Sequence, residues 1–293
     1  MITSCSPGWI NYAEINYGDL LGHLSSCKSP HEMFGAILKT YYAEKIGVAP
    51  EDMYVVSIMP CSCKKFEKER AQLVTNGMPD VDAVLTTREL GRLIRRSGIN
   101  FAKLPDEDFD TDIVHDYSGA GVIFGVTGGV MEAALRTVYF VLTGKEYEKI
   151  SFTEVRGLEG VREASLDING MTVNVAIANG MKSAKVLLED IRAGKSKYHF
   201  IEIMGCPGGC INGGGQPYVR DVFLPNEDDD IMDTYIQKRA NALYTEDERQ
   251  VIRQSHNNVQ VKALYDEFLG EPNSHKAHEL LHTTYAAREG FND

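Results

Sequence analysis

Residues 200–217 read Phe-Ile-Glu-Ile-Met-Gly-Cys-Pro-Gly-Gly-Cys-Ile-Asn-Gly-Gly-Gly-Gln-Pro. The apolar residues Phe200, Ile201, Ile203 and Met204 predict a short buried strand. The strand breaks into two cysteines four apart, Cys206 and Cys210, which enclose Pro207, Gly208 and Gly209; Gly213, Gly214 and Gly215 follow. Two thiols on a glycine-rich loop at a strand end are arranged for a metal or a cluster. Glycine tolerates positive φ and lets backbone amides approach sulfur closely. The competing reading, a glycine-rich turn with two incidental buried cysteines, is disfavoured by how densely both residue types are packed.

Strands and helices alternate along the rest of the chain, which predicts an α/β fold. The chain begins on Thr-Ser-Cys-Ser-Pro-Gly-Trp at 3–9, with no room expected ahead of it for a supporting strand or helix. A helical stretch to about Leu24 follows, then a helix over 31–46 whose apolar residues Met33, Phe34, Ile37, Leu38, Tyr41 and Tyr42 mark one buried face. Residues 53–59 form a β-branched run ended by Pro60 and are expected to be a buried strand. A second strand over 81–86 leads to a helix over 88–96, with Thr87 as its N-cap. Glycine-rich 119–129 opens a helix over 130–142, and Asn169-Gly170 signals a hairpin within 150–178. A helix over 181–193 ends at Gly194, residues 226–230 form an acidic loop, and the chain finishes in helical segments.

The formal net charge of −12 argues against nucleic acid and anionic membrane as partners. No apolar run reaches the roughly 18 residues of a membrane span, and no secretory signal is expected. The six cysteines do not resemble a disulfide-stapled secreted scaffold, so a reducing cytoplasm is expected, and an anaerobic one for oxygen-sensitive chemistry.

Three loops carry cysteine at the carboxyl end of an apolar run: Cys5, Cys61 and the Cys206/Cys210 pair. Ligands gather at that edge of open α/β sheets. Four converging thiolates match a cubane iron–sulfur cluster; zinc is the competitor, though its sites usually combine two close cysteine pairs.

Thr-Ser-Cys-Ser-Pro-Gly-Trp at 3–9, Met-Pro-Cys-Ser-Cys-Lys-Lys-Phe-Glu at 59–67 and the 202–217 stretch resemble the three signature loops of the iron-only ([FeFe]) hydrogenases. Residues 128–136 and the ending 270–282 (Gly-Glu-Pro…His-Glu-Leu-Leu-His) also resemble that family, the latter its C-terminal small-subunit segment. The resemblance implies a two-lobed catalytic domain of twisted, mostly parallel sheets flanked by helices, with the cluster between the lobes. The catalytic domain is expected over 1–240 and the wrapping helical segment over 241–293.

The resemblance further implies a [4Fe–4S] cluster bridged by one cysteine to a diiron unit carrying CO, cyanide and an azadithiolate, interconverting protons, electrons and H2. By motif position Cys61, Cys206 and Cys210 match cluster ligands, with Cys210 the bridge. Lys64 matches the lysine that hydrogen-bonds cyanide, a charge-assisted contact. Met59, Met204, Phe124 and Val130 match residues lining the diiron unit, and Ser25 matches a hydroxyl of the proton path. Glu67, Ser25 and Cys5 are expected to pass protons in that order. Electrons are expected from a ferredoxin or a cluster-bearing subunit.

The chain departs from this pattern in two places. The family's first loop usually has two adjacent cysteines, one relaying protons and one ligating the cubane; here they are Cys5 and Ser6. Ser6 could ligate through oxygen, Cys5 could become the ligand, or three thiolates could hold the cluster. The stretch that usually precedes the first loop is also missing, so a fragment, a truncated member or one half of a split domain is expected, with a separate chain supplying the remainder. His31 stands where a polar amide is common. Cys27 and Cys63 receive no role, and His275, His278 and His282, on one helical face, are expected to be structural. The alternative function is a non-catalytic iron–sulfur protein used in sensing, assembly or electron transfer.

Overall fold

The computed structural model describes residues 1–111, 113–146, 155–157, 160–218 and 230–290. In chain order the elements are β1 (Ile2–Thr3), α1 (Pro7–Asn16), α2 (Pro30–Ile37), α3 (Ala43–Ile46), β2 (Val56–Met59), α4 (Lys64–Glu67), β3 (Val74–Thr75), β4 (Met78–Pro79), β5 (Ala83–Thr86), α5 (Thr87–Arg96), α6 (Gly119–Ile123), α7 (Gly129–Thr143), β6 (Val161–Ile168), β7 (Met171–Asn179), α8 (Met181–Arg192), β8 (Phe200–Met204), α9 (Asp230–Arg249), α10 (Val259–Leu264) and α11 (His275–Leu281). A π-helical turn, Leu38–Tyr42, joins α2 to α3.

The larger sheet has the order β1-β8-β7-β6, with β1, β8 and β7 parallel and β6 antiparallel to β7 across the expected Asn169-Gly170 turn. Both faces are covered, because the side-chain period of two divides the apolar residues between two layers. Ala176, Ala178, Ile201 and Ile203 meet Trp9, Ile10 and Ala13 of α1 and Ala184, Leu187 and Leu188 of α8. Val175 and Ile177 meet Met131 and Leu135 of α7 on the opposite face. Glu202 also lies on that second face. Its carboxylate accepts the Gly128 and Met131 amides at 2.7 Å each, at the start of α7, where a helix favours negative charge.

Several expectations change. β1 stands directly ahead of the first loop and pairs with β8, so a supporting strand does precede it. Residues 53–59 are not a buried strand. Only Val56–Met59 forms a strand, and Val56 and Ile58 are 46% and 42% exposed, because β2 pairs with β5 alone in a two-stranded sheet. The N-cap of α5 is Thr86, in a capping box with Glu89, rather than Thr87. On α2 the expected core residue Phe34 is 47% exposed, whereas His31, Glu32, Gly35 and Ala36 are buried. The first part of the 150–178 expectation and residues 226–229 lie outside the described residues.

The C-terminal helices pack on two separate places. Leu269, Ala277 and Leu280 meet Ile37 and Tyr41 of the α2–α3 helix. Asp247 of α9 is bound by Arg136 of α7 through two hydrogen bonds of 2.8 and 2.9 Å. The expected domain boundary after 240 falls inside α9, which runs through it without a break. His278 and His282 stack at 4.2 Å, and His282 Nδ1 lies 2.8 Å from Ser26 Oγ. Among the described residues no helix is long and apolar enough to cross a membrane.

Candidate metal centre

The third loop, after β8, touches the other loops of the site through its glycines. A Cβ at Gly205 would stand 2.4 Å from Ser6 Oγ of the first loop. At Gly213 it would stand 2.3 Å from the Pro60 carbonyl oxygen of the second loop, and the Gly215 amide donates to that same oxygen at 2.8 Å. Gly209, at φ +99°, would place a Cβ 2.6 Å from Gly125 O and 2.8 Å from Thr127 N in the α6–α7 loop. Only glycine admits both that dihedral and that approach. The loops are then stitched by Ile211 N to Gly125 O at 3.1 Å and Thr127 N to Gly208 O at 3.2 Å. Asn179, at the end of β7, accepts the Gly208 amide at 2.8 Å. Arg88 donates to the Gly214 and Gln216 carbonyls, and Arg239 to those of Ile211 and Pro217.

This stitching gathers the cysteines of the three loops, all of them free thiols. The neighbouring Cys210 thiol and the Lys64 charge together outweigh burial and hold the Cys5 thiol down at about 6. The neighbouring Cys5 and burial push Cys210 up. Burial raises Cys61 and Cys206.

Lys64 is buried, and its Nζ donates to the Cys5 carbonyl at 2.7 Å and to Glu67 Oε2 at 2.7 Å. Glu67 Oε2 also accepts Ser29 Oγ at 2.8 Å and stands 2.6 Å from His31 Nε2. His31 Nδ1 in turn lies 3.0 Å from Ser57 Oγ. Burial alone would raise Glu67, but the bond to His31 and the Lys64 charge hold its carboxyl below the ordinary range. Burial lowers His31, against the bond to Glu67. Burial would lower Lys64 as well, and the charges of Glu67 and Cys5 reverse that.

The expected order Glu67, Ser25, Cys5 is not the one found. The hydroxyl bound to Glu67 is Ser29, while Ser25 Oγ accepts the Cys27 amide at 3.4 Å. Ser25 lines a cavity of about 400 Å³ with Cys5, Phe124, Val130, Pro30 and Met33. Met204 is buried at the end of β8, and Met59 half-buried at the end of β2; neither they nor Lys64 line that cavity. Ser6 is half-buried against Gly205, beside Cys206. Sequence reasoning missed Ser29, Glu32 and Asn179, which sit in ordinary helical and strand contexts with no motif. It noticed His31 only as a replacement.

The pattern of the iron-only hydrogenase large subunit, C-terminal domain, matches residues 1–214, and that of the iron hydrogenase small subunit matches residues 233–288. The NADP-reducing hydrogenase subunit HndD of Solidesulfovibrio fructosivorans is 47% identical over 99% of this chain and 47% of its own length. A probable cytosolic Fe-S cluster assembly factor of Drosophila virilis is 33% identical over 100% of this chain and 60% of its own. An apo [FeFe]-hydrogenase structure, a variant of HydA1 from Chlamydomonas reinhardtii, superposes with a TM-score of 0.81 at 43% identity, covering 99% of this chain and 77% of that one. The chain thus spans about half the length of the hydrogenase subunit it matches. With three cysteine loops gathered on one glycine-stitched centre and the large-subunit pattern covering most of its length, the chain belongs to the iron-only hydrogenase family.

Proposed function

We propose that this chain is a hydrogenase catalytic module, holding a [4Fe–4S] cluster joined through Cys210 to a diiron unit with CO, cyanide and azadithiolate ligands. The residues fit such a group. Soft thiols on three loops suit iron and sulfide, and the buried ammonium of Lys64 suits an anionic neighbour. The observation that carries the reading is Lys64 itself, which a bare cubane does not need.

When bound, the cluster and diiron unit supply the making and breaking of H2 from protons and electrons. Cys61, Cys206 and Cys210 would hold the iron. Met59, Met204, Phe124 and Val130 exclude water as soft and apolar wall residues. Cys5 Sγ gives and takes a proton. Ser57, His31, Glu67 and Lys64 form the connected polar chain that reaches the Cys5 backbone. The helical segment begins with α9 at residue 230 and clasps the catalytic domain through Asp247 and α11. A ferredoxin or a cluster-bearing subunit in an anaerobic cytoplasm delivers electrons.

Anaerobic loading with iron and sulfide, then with a synthetic diiron precursor, tests this. Infrared bands of CO and cyanide together with H2 evolution from reduced viologen are expected. A cubane without those bands overturns the catalytic reading and favours an assembly or sensing role, which Ser6 and the likeness to cluster assembly factors support.

A further inference from the structure

Among the described residues, no hydrogen-bond donor reaches either carboxylate oxygen of Glu32, and the residue is 0% exposed. The lysines on this side of α2 are committed to other acids. Lys28, just ahead of the helix, binds Asp80 Oδ2 at 2.6 Å, and Lys64 binds Glu67 Oε2 at 2.7 Å. Asp80 in turn lies against α2, where a Cβ at Gly35 would stand 2.3 Å from its carbonyl oxygen. Three carboxylates are thus buried with two ammonium groups. Buried charges are paired or coordinate a metal, and the carboxylate of Glu32 is the one without a counter-charge of its own.

Two more donors face the same point. His31 Nε2 lies 3.2 Å from Glu32 Oε1 and 2.6 Å from Glu67 Oε2. One ligand atom from each of His31, Glu32 and Glu67 falls within 4.8 Å of the other two. Donors around a cation with bonds of about 2.1 Å stand roughly 3 Å apart, so small side-chain rotations bring all three onto one ion. Lys64, Ser29 and His31 all meet Oε2 of Glu67, which leaves Oε1 for that ion. The imidazole is braced from behind, its Nδ1 3.0 Å from Ser57 Oγ, as metal-bound histidines usually are.

We propose that His31, Glu32 and Glu67 form a second metal site, which takes one divalent cation of the Mn²⁺ or Fe²⁺ class. Two carboxylates and an imidazole suit such ions, and the set contains no thiol to favour a softer one. The imidazole presents Nε2 to the ion and keeps its proton on Nδ1, toward Ser57. Binding releases any proton held by Glu32 to water and forms one nitrogen and two oxygen bonds to the cation, with no change of oxidation state. The ion ties α2 to α4 behind the Lys64–Glu67 pair, and the site does not depend on what the cysteine loops hold.

The test titrates the full chain, freed of metal with a chelator, with Mn²⁺ under anaerobic conditions. Mn²⁺ is a poor partner for thiolate, which keeps the cysteine loops out of the measurement. Electron paramagnetic resonance counts the bound ion, spin-echo modulation reads nitrogen coupled to it, and circular dichroism verifies that each variant folds. Wild type is expected to bind one Mn²⁺ with an imidazole nitrogen coupling. Glu32→Gln keeps the side-chain volume and removes an unpaired buried carboxylate, so it should fold and bind about tenfold or more weakly. His31→Gln is expected to lose the nitrogen coupling, and it decides the matter should Glu32→Gln fail to fold. A wild type that binds no Mn²⁺ overturns the proposal. So does wild-type affinity in Glu32→Gln, which places the ion on exposed acids, and so does a nitrogen coupling that survives in His31→Gln.

Discussion

Lys64 Nζ lies 2.7 Å from Glu67 Oε2, one turn away on α4, with the two side chains only 6% and 8% exposed. The pair is the junction of the site. Lys64 reaches the first loop through the Cys5 carbonyl, and Glu67 reaches α2 through Ser29 and His31. A buried ion pair is held in place by its completeness, because removing one partner strands the other charge in a medium that solvates it badly.

Glu67→Gln is therefore expected to destabilise the apo chain by about 3 kcal/mol. The cost comes from the uncompensated Lys64 ammonium more than from the lost contact. Urea unfolding followed by the fluorescence of Trp9, the only tryptophan and 1% exposed, reads this directly. Combining it with Lys64→Met should cost less than the two changes summed. A Glu67→Gln midpoint equal to wild type contradicts the account.

Glu32 gives a pH signature. Both its carboxylate oxygens are buried without a hydrogen-bond partner, and its ligand atoms lie within 4.8 Å of those of His31 and Glu67. Burial, then the charges of Glu67 and Asp80, push its carboxyl up to about 8, against the opposing Lys64 and Lys28. The folded chain thus keeps a proton that the unfolded chain has lost above its ordinary value of 4.5. Stability falls as pH rises from about 5 to about 8 and is level above that, by on the order of 4–5 kcal/mol from this group. Glu32→Gln should flatten most of that slope. Glu202, raised to about 7 by burial, leaves a residual slope of the same sign. Unfolding midpoints at pH 5, 6.5 and 8 measure it, and an unchanged slope in Glu32→Gln refutes the assignment.

The third loop was legible because its chemistry is local. A two-period apolar run made β8, and glycines marked where backbone meets backbone, as at Gly209 against Gly125. The polar interior of α2 was not legible. Helical periodicity sorts residues by hydropathy, so it put Phe34 inside and left His31 and Glu32 unplaced. His31 is buried with a partner because Glu67, thirty-six residues away in sequence, comes to meet it, and no spacing rule encodes that. The same distance explains Ser29 standing where Ser25 was expected: two hydroxyls four residues apart on one segment look alike until the carboxylate is placed. β1 was missed because two residues carry no period, and its pairing with β8 joins opposite ends of the catalytic part of the chain.

Arg136 governs how the C-terminal segment stays attached. Its guanidinium is 1% exposed, takes both oxygens of Asp247 and donates to Glu132 Oε1 at 2.7 Å. Arg253 adds a further bond to Asp247, and Arg156 binds Glu132. Replacing Arg136 by Met keeps most of the volume and leaves two buried carboxylates short of positive charge, at a cost of about 3 kcal/mol. Because Asp247 belongs to α9 and Glu132 to α7, the loss should loosen the helical segment before the β1-β8-β7-β6 sheet. Trypsin should then cut Arg136→Met within α9, at Lys238, Arg239 or Arg249, faster than it cuts wild type, with Lys182, Lys185 and Arg192 of α8 still protected. Mass mapping of the fragments distinguishes this from general unfolding, in which cuts appear throughout the chain. A cleavage pattern identical to wild type would show that the apolar contacts of α9 and α11 hold the segment without the ion cluster.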